Sequence, residues 1–228
     1  MHIARVAGPV LPWFNLQMSQ YLVVHAVNPQ RRLIRRAVEV LRAGGLIAYP
    51  TDSCYALGCR IGDKQAMQRL RHVRQVDEGH HLTLVCRDLS EIAQYARVDN
   101  MQYRLLRAAT PGSYTFILRA TREVPKRLLN PRRKTIGLRV PEHAVVRALL
   151  EEFGEPILSS TLILPRDEYP LSSPEEIRDR LAGELDLILD AGSCGLEMTT
   201  VVDLTGETPA VIRPGKGPVA LFLSEHLH

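Results

Sequence analysis

No stretch of this sequence approaches the roughly 18 consecutive apolar residues that a membrane-spanning helix needs, and the N-terminal residues lack the charged, apolar, small-residue succession of a secretory leader. A cytoplasmic protein with no membrane partner is the expectation. Cysteine is scarce too: Cys54, Cys59, Cys86 and Cys194 form no CxxC pair and stand at no zinc-finger spacing from a histidine, which argues against a disulfide framework and against a metal site. Aromatic residues make up only 5% of the chain, so Leu, Ile, Val and Ala have to supply most of the burial. An internal repeat, a low-complexity tract and a convincing linker are all missing, which excludes solenoid and strung-module organisation.

What remains suits one globular domain or a tightly fused pair: 228 residues, 45% hydrophobic and 24% charged. The net charge of +4 favours phosphate-bearing partners without establishing one. Its distribution says more. Arg122, Lys126, Arg127, Arg132, Arg133 and Lys134 fall together, and Glu175, Glu176, Asp179, Glu184 and Asp186 follow much later. A polarised surface is expected.

Apolar periodicity predicts an alternation of strands and helices. Strands are expected at 21–25, 46–49, 55–59, 82–86, 114–119, 136–139, 157–160, 187–190, 200–204 and 210–213. Helices are expected at 29–43, 64–74, 89–96, 100–109 and 143–153, with one more after Ser172-Ser173-Pro174, where a serine cap, a proline in the first turn and Glu176 form a start signal. The pattern defines an α/β class with a mixed, twisted sheet.

Three features carry chemistry. Pro50-Thr51-Asp52-Ser53 opens hydroxyl and carboxylate groups at the end of a buried strand, where α/β sheets hold ligands; an ordinary turn with Asp52 and Ser53 bonded to their own backbone fits the spacing equally. Thr110-Pro111-Gly112-Ser113 is a turn entering a strand, able to turn backbone amides toward an anion. Arg139 and Arg213 each emerge from an apolar strand and can hold a carboxylate or phosphate, or, for Arg139, a surface acid such as Glu142.

In order along the chain, PTDSCYALGC (50–59), TPGSYTFIL (110–118), KTIGLRVP (134–141), GEPILSST (154–161), TTVVDLT (199–205) and IRPG (212–215) resemble the YrdC/YciO family. Residues 74–89 are similar to its YciO-type branch in particular. The resemblance covers nearly everything after Met18, so residues 1–17 read as an N-terminal extension and 18–228 as the YrdC-like domain. It implies an open α/β fold with a basic concave face, binding to double-stranded RNA or tRNA, and a relation to enzymes that make threonylcarbamoyl-AMP from L-threonine, bicarbonate and ATP, with pyrophosphate released and Mg²⁺ accompanying the nucleotide.

By that resemblance Thr51, Thr115 and Arg139 fall on the threonine side, and Arg74, Thr161, Thr200 and Arg213 on the nucleotide side. Lys126, Arg127, Arg132, Arg133 and Lys134 are the RNA-facing candidates, bound to phosphates rather than base edges. The chain departs from the synthase pattern where a KxR pair becomes Arg74-Gln75-Val76, and where an SxN pair becomes Thr161 and Ile163. Each lost donor is worth about 2–4 kcal/mol of transition-state stabilisation. The expectation is therefore a nucleotide- and RNA-binding protein with weakened or altered synthase chemistry. The alternatives are a non-catalytic RNA-binding protein and an enzyme for another nucleotide-linked small molecule. His80 and His81 are further donor candidates.

Overall fold

The computed structural model describes residues 19–77, 80–130 and 132–222; the expected N-terminal extension lies outside them. The strands are β1 (Gln20–Val23), β2 (Ile47–Tyr49), β3 (Ala56–Arg60), β4 (Thr83–Val85), β5 (Tyr114–Arg119), β6 (Thr135–Arg139), β7 (Ile157–Thr161), β8 (Leu187–Asp190), β9 (Thr200–Asp203) and β10 (Ala210–Arg213). The helices are α1 (Arg31–Arg42), α2 (Lys64–Arg74), α3 (Leu89–Tyr95), α4 (Asn100–Ala109), α5 (Ala144–Phe153) and α6 (Pro174–Leu181). All ten strands join one sheet in the order β1-β8-β2-β3-β7-β4-β6-β5-β9-β10. Pairs such as β4/β6 and β5/β9 run parallel, whereas β3/β7 and β5/β6 run antiparallel. The expected mixed sheet is present.

Local chemistry sets the helix ends. Asp99 and Gln102 form a reciprocal capping box at the start of α4. Ser173 caps α6 by accepting from the Glu176 amide at 3.2 Å, and Pro174 follows in the first turn. Gly154 ends α5 with φ +80°, a left-handed position that suits glycine. Two short 3₁₀ turns, Lys126–Leu128 and Ala220–Phe222, were not foreshadowed by periodicity, being only three residues each.

The two faces of the sheet are covered unequally. One carries α2, α3, α4 and α6 over a core that includes Leu70, Ile92, Leu106, Phe116, Leu138, Ile177 and Val202. Three of the few aromatics meet here, with Phe222 edge-on to Tyr114 and Phe116 at 5.5 and 6.1 Å. The other face is covered by α1 and α5, and the buried group there draws on Ile47, Tyr49, Val85, Ile157 and Leu187 but on no residue of β5, β6, β9 or β10. Half of that face is therefore left without a helix among the described residues. The basic run 126–134 lies between β5 and β6, and the acidic stretch belongs to α6 and the approach to β8 on the other half of the sheet.

Candidate functional site

The uncovered half-face forms a cavity of about 340 Å³. Strand alternation dictates its floor. Phe116, Leu138 and Val202 point into the helical core, so their neighbours Thr115, Ile117, Gly137 and Val201 face the other way and line the cavity with Thr83 and Thr199. The Thr115 and Thr199 hydroxyls meet at 2.9 Å across the β5–β9 seam. Glycine at 137 keeps the floor low, since a Cβ there would stand 3.0 Å from Thr83 Oγ1 and 3.4 Å from Thr115 Cγ2.

The charged lining is one-sided. Arg74, Arg133 and Arg213 line the cavity together with His80 and His81, and among the described residues no Asp or Glu does. Arg133 is neutralised by Asp203 at 2.9 Å. Among the described residues Arg74 and Arg213 have no such partner: Arg74 Nε donates to Ser160 Oγ at 3.2 Å, and Arg213 donates to Thr199 O at 3.0 Å and to Met198 Sδ at 3.6 Å. The Arg213 Nε is buried without a partner. Burial holds both guanidinium groups below the ordinary arginine range. Half-buried cations without a counter-ion favour an anionic ligand.

At one edge of the cavity sits a second arginine site. Arg139 lies two residues beyond Gly137 and so on the same face, yet it does not line the cavity. Its Nη2 pairs with Asp52 and donates to Ser53 Oγ at 2.9 Å and Thr51 Oγ1 at 3.2 Å. Asp52 also accepts from Ser113 Oγ at 2.9 Å, and Lys216 Nζ donates to the Asp52 carbonyl. The turn around 50–53 thus differs from the ordinary one. Only Thr51 bonds its own backbone, donating to Cys54 O at 2.6 Å, while Asp52 and Ser53 reach across to β6. Asp52, not Glu142, is the partner of Arg139.

Of the other expected residues, Thr115, Thr161, Arg74 and Arg213 share the cavity. Thr200 does not. It has the parity of Val202, so its hydroxyl points away from the cavity, accepting from the Gly215 amide at 2.9 Å and donating to Gly217 O at 2.5 Å. Its neighbour Thr199 lines the cavity instead, a choice that the alternation of β9 already contained. Two amides at the 110–113 turn are already committed within the protein: Gly112 N donates to Val140 O, just beyond β6, and Tyr114 N, at the start of β5, to Gly112 O, both at 2.9 Å. Val76 and Ile163, at the departing positions, do not line the cavity either.

Lys126, Arg127, Arg132, Arg133 and Lys134 are all exposed. Arg127 donates to Gly62 O, and Arg133 alone of the five reaches the cavity. Arg133 and Lys134 also line an adjoining basin of about 510 Å³ with Arg97 and Arg119, two cations that the sequence pattern did not single out. Asn130 ties the rim together, its side-chain oxygen accepting from the amides of Arg132 and Arg133 and its nitrogen 3.1 Å from His81 Nε2. Cys54 is buried, which pushes its thiol up. Among the described residues no group of three His, Cys, Asp or Glu is placed to hold a metal ion, and no helix is long and apolar enough to cross a membrane.

Fold and site together define an open α/β protein with an arginine-lined cavity on one face of its sheet. Residues 39–215 match the Sua5/YciO/YrdC family model, whose description reads "Telomere recombination", and the chain belongs to that family. It is 56% identical over 206 residues to the uncharacterized protein YciO of Escherichia coli K12, covering 90% of this chain and 100% of that one. The crystal structure of E. coli YciO superposes with a TM-score of 0.88. The threonylcarbamoyl-AMP synthase of Mus musculus is 31% identical over 204 residues, covering 84% of this chain and 71% of that protein. At the level of fold alone, P. abyssi Sua5 complexed with L-threonine matches with a TM-score of 0.79 at 24% identity, over 86% of this chain and 58% of that one.

Proposed function

We propose that the cavity binds ATP, its phosphates against Arg74 and Arg213, with L-threonine toward Thr51, Thr115 and Arg139, and that the protein supports a weakened or altered threonylcarbamoyl-AMP synthase reaction connected to tRNA modification. The observation that carries this reading is the pair of arginines, Arg74 and Arg213, that line the cavity with no carboxylate partner among the described residues. The mouse relative named as a threonylcarbamoyl-AMP synthase supports the reaction class.

The chemistry demands that a threonine-derived carbamate oxygen attack the α-phosphorus of ATP as the bond to pyrophosphate breaks. Positioning and charge stabilisation dominate such a step. Arg74 and Arg213 would meet charge developing on the departing pyrophosphate, and the Thr115, Thr161 and Thr199 hydroxyls would orient the substrates. Among the described residues the lining offers no carboxylate to Mg²⁺; the ion would enter on the triphosphate, and no step is assigned to it. Valine at 76 and isoleucine at 163 stand where the synthase pattern has donors, which is the reason to expect a slow reaction.

RNA is the second partner. Arg133 lines both the cavity and the basin that holds Arg97, Arg119 and Lys134, a continuity that suits backbone phosphates leading toward the cavity. With Lys126, Arg127 and Arg132 added, the contact would be to phosphates of structured RNA. The deciding assay is release of pyrophosphate from ATP that depends on both threonine and bicarbonate and falls at least tenfold in Arg213→Gln. No threonine-dependent release above that variant's background would remove the synthase reading. RNA affinity unchanged between low and physiological salt would remove the phosphate contact.

A further inference from the structure

The two arginine sites differ in one respect that bears on what each can bind. Arg74 and Arg213 reach the cavity with no ion pair among the described residues. Arg139 is already neutralised: its side chain and that of Asp52 are each 8% exposed and form an ion pair. The side-chain hydrogen bonds of Arg139 all run through Nη2, to Asp52, Thr51 and Ser53, and its buried Nε has no partner among the described residues. Three hydroxyls, from Thr51, Ser53 and Ser113, surround the pair. Lys216 adds a cation on the far side of Asp52, through the backbone carbonyl.

We infer that Asp52 determines anion selectivity at the edge of the cavity: by neutralising Arg139 it reserves that edge for a monoanionic or zwitterionic group and confines phosphate to Arg74 and Arg213. This rests on the proposed reading that nucleotide and amino acid share the cavity. A polyphosphate approaching Arg139 would meet the Asp52 carboxylate as well, and like charges within a few ångströms in a poorly solvated site repel. A carboxylate paired with an ammonium group on the same ligand meets both signs and loses nothing. Nη2 stays committed to the protein and fixes the guanidinium plane.

Neutralising Asp52 should leave Arg139 and Lys216 as two adjacent free cations, and the selectivity should collapse toward phosphate. Titration calorimetry with inorganic pyrophosphate on the full chain tests this. Asp52→Asn is expected to bind pyrophosphate at least tenfold more tightly than wild type, or to take up a second pyrophosphate per chain. The gain should vanish in Asp52→Asn/Arg139→Gln. That double variant replaces one neutral pair by another and is expected to hold wild-type pyrophosphate affinity within twofold, which keeps the proposal falsifiable should Asp52→Asn alone fold poorly. A folded Asp52→Asn that binds pyrophosphate as wild type does, a gain that survives loss of Arg139, or a tenfold fall in the double variant would each overturn it. Arg74→Gln and Arg213→Gln report separately on the nucleotide site. If both bind pyrophosphate as wild type does, the phosphate assignment fails, while the comparison of Asp52→Asn with the double variant still decides the role of Asp52.

Discussion

Arg74 and Arg213 face one cavity from two separate segments, and neither guanidinium has a carboxylate partner among the described residues. Unpaired, half-buried charge costs stability. Replacing Arg74 by Met removes the charge and one hydrogen bond, to Ser160, so its melting should show stability within about 1 kcal/mol of wild type, or higher. Affinity for ATP should fall about tenfold in the same variant. A loss of several kcal/mol would mean that Arg74 is a structural residue.

Thr199 and Thr200 should separate binding from folding. Thr200→Val leaves the Gly215 amide and the Gly217 carbonyl without their partner, which costs about 1–3 kcal/mol in denaturant unfolding. Thr199→Val removes a cavity hydroxyl that bonds Thr115 and should change ligand affinity more than stability. The reverse pattern would contradict the facing of β9.

Gly137→Ala should weaken ATP binding and cost about 1–3 kcal/mol, because the new methyl would stand 3.0 Å from Thr83 Oγ1 in a packed sheet. Adding Thr83→Ala should restore most of the stability. A double-mutant cycle measures that coupling, and additive effects would show that the two positions do not touch.

His80 sits below its ordinary value of 6.5, because partial desolvation and the neighbouring Arg74 and His81 disfavour the imidazolium. Below neutral pH the unfolded chain therefore binds more protons than the folded one. The small stability this gives is present above 6.5 and lost as the pH falls through that window. An anion in the cavity reverses the preference. Pyrophosphate should raise the His80 midpoint in an NMR titration, and pyrophosphate affinity should rise as pH falls. A midpoint that pyrophosphate leaves unmoved would put the anion elsewhere.

The elements were legible because their signals are local. Period-2 and period-3.6 patterns located β5, β6, α2 and α5, and Ser173-Pro174 marked the start of α6. The sheet order was not legible, since the neighbours β3 and β7 are far apart in sequence. The site followed the same division. Arg74, Thr115, Thr161 and Arg213 were reached through motif resemblance, and they do share a cavity. Thr200 does not line that cavity and its neighbour Thr199 does, a difference that the parity of Val202 already contained. The partner of Arg139 could not be read at all: Asp52 and Glu142 are both plausible acids in sequence, and only the crossing of the 50–53 turn over β6 distinguishes them. Arg97 and Arg119 escaped notice because they lie far apart in sequence until the Ala96–Ala120 bridge and the pairing of β5 with β6 bring them beside Lys134.

Protein-observed NMR of the arginine Nε–Hε signals during an ATP titration tests the central claim most directly. The account predicts that the Arg74 and Arg213 signals move together and saturate at one ATP per chain, and that Arg139 moves only when L-threonine is added. Saturating ATP that leaves Arg74 and Arg213 unshifted, or shifts Arg139 first, would contradict it.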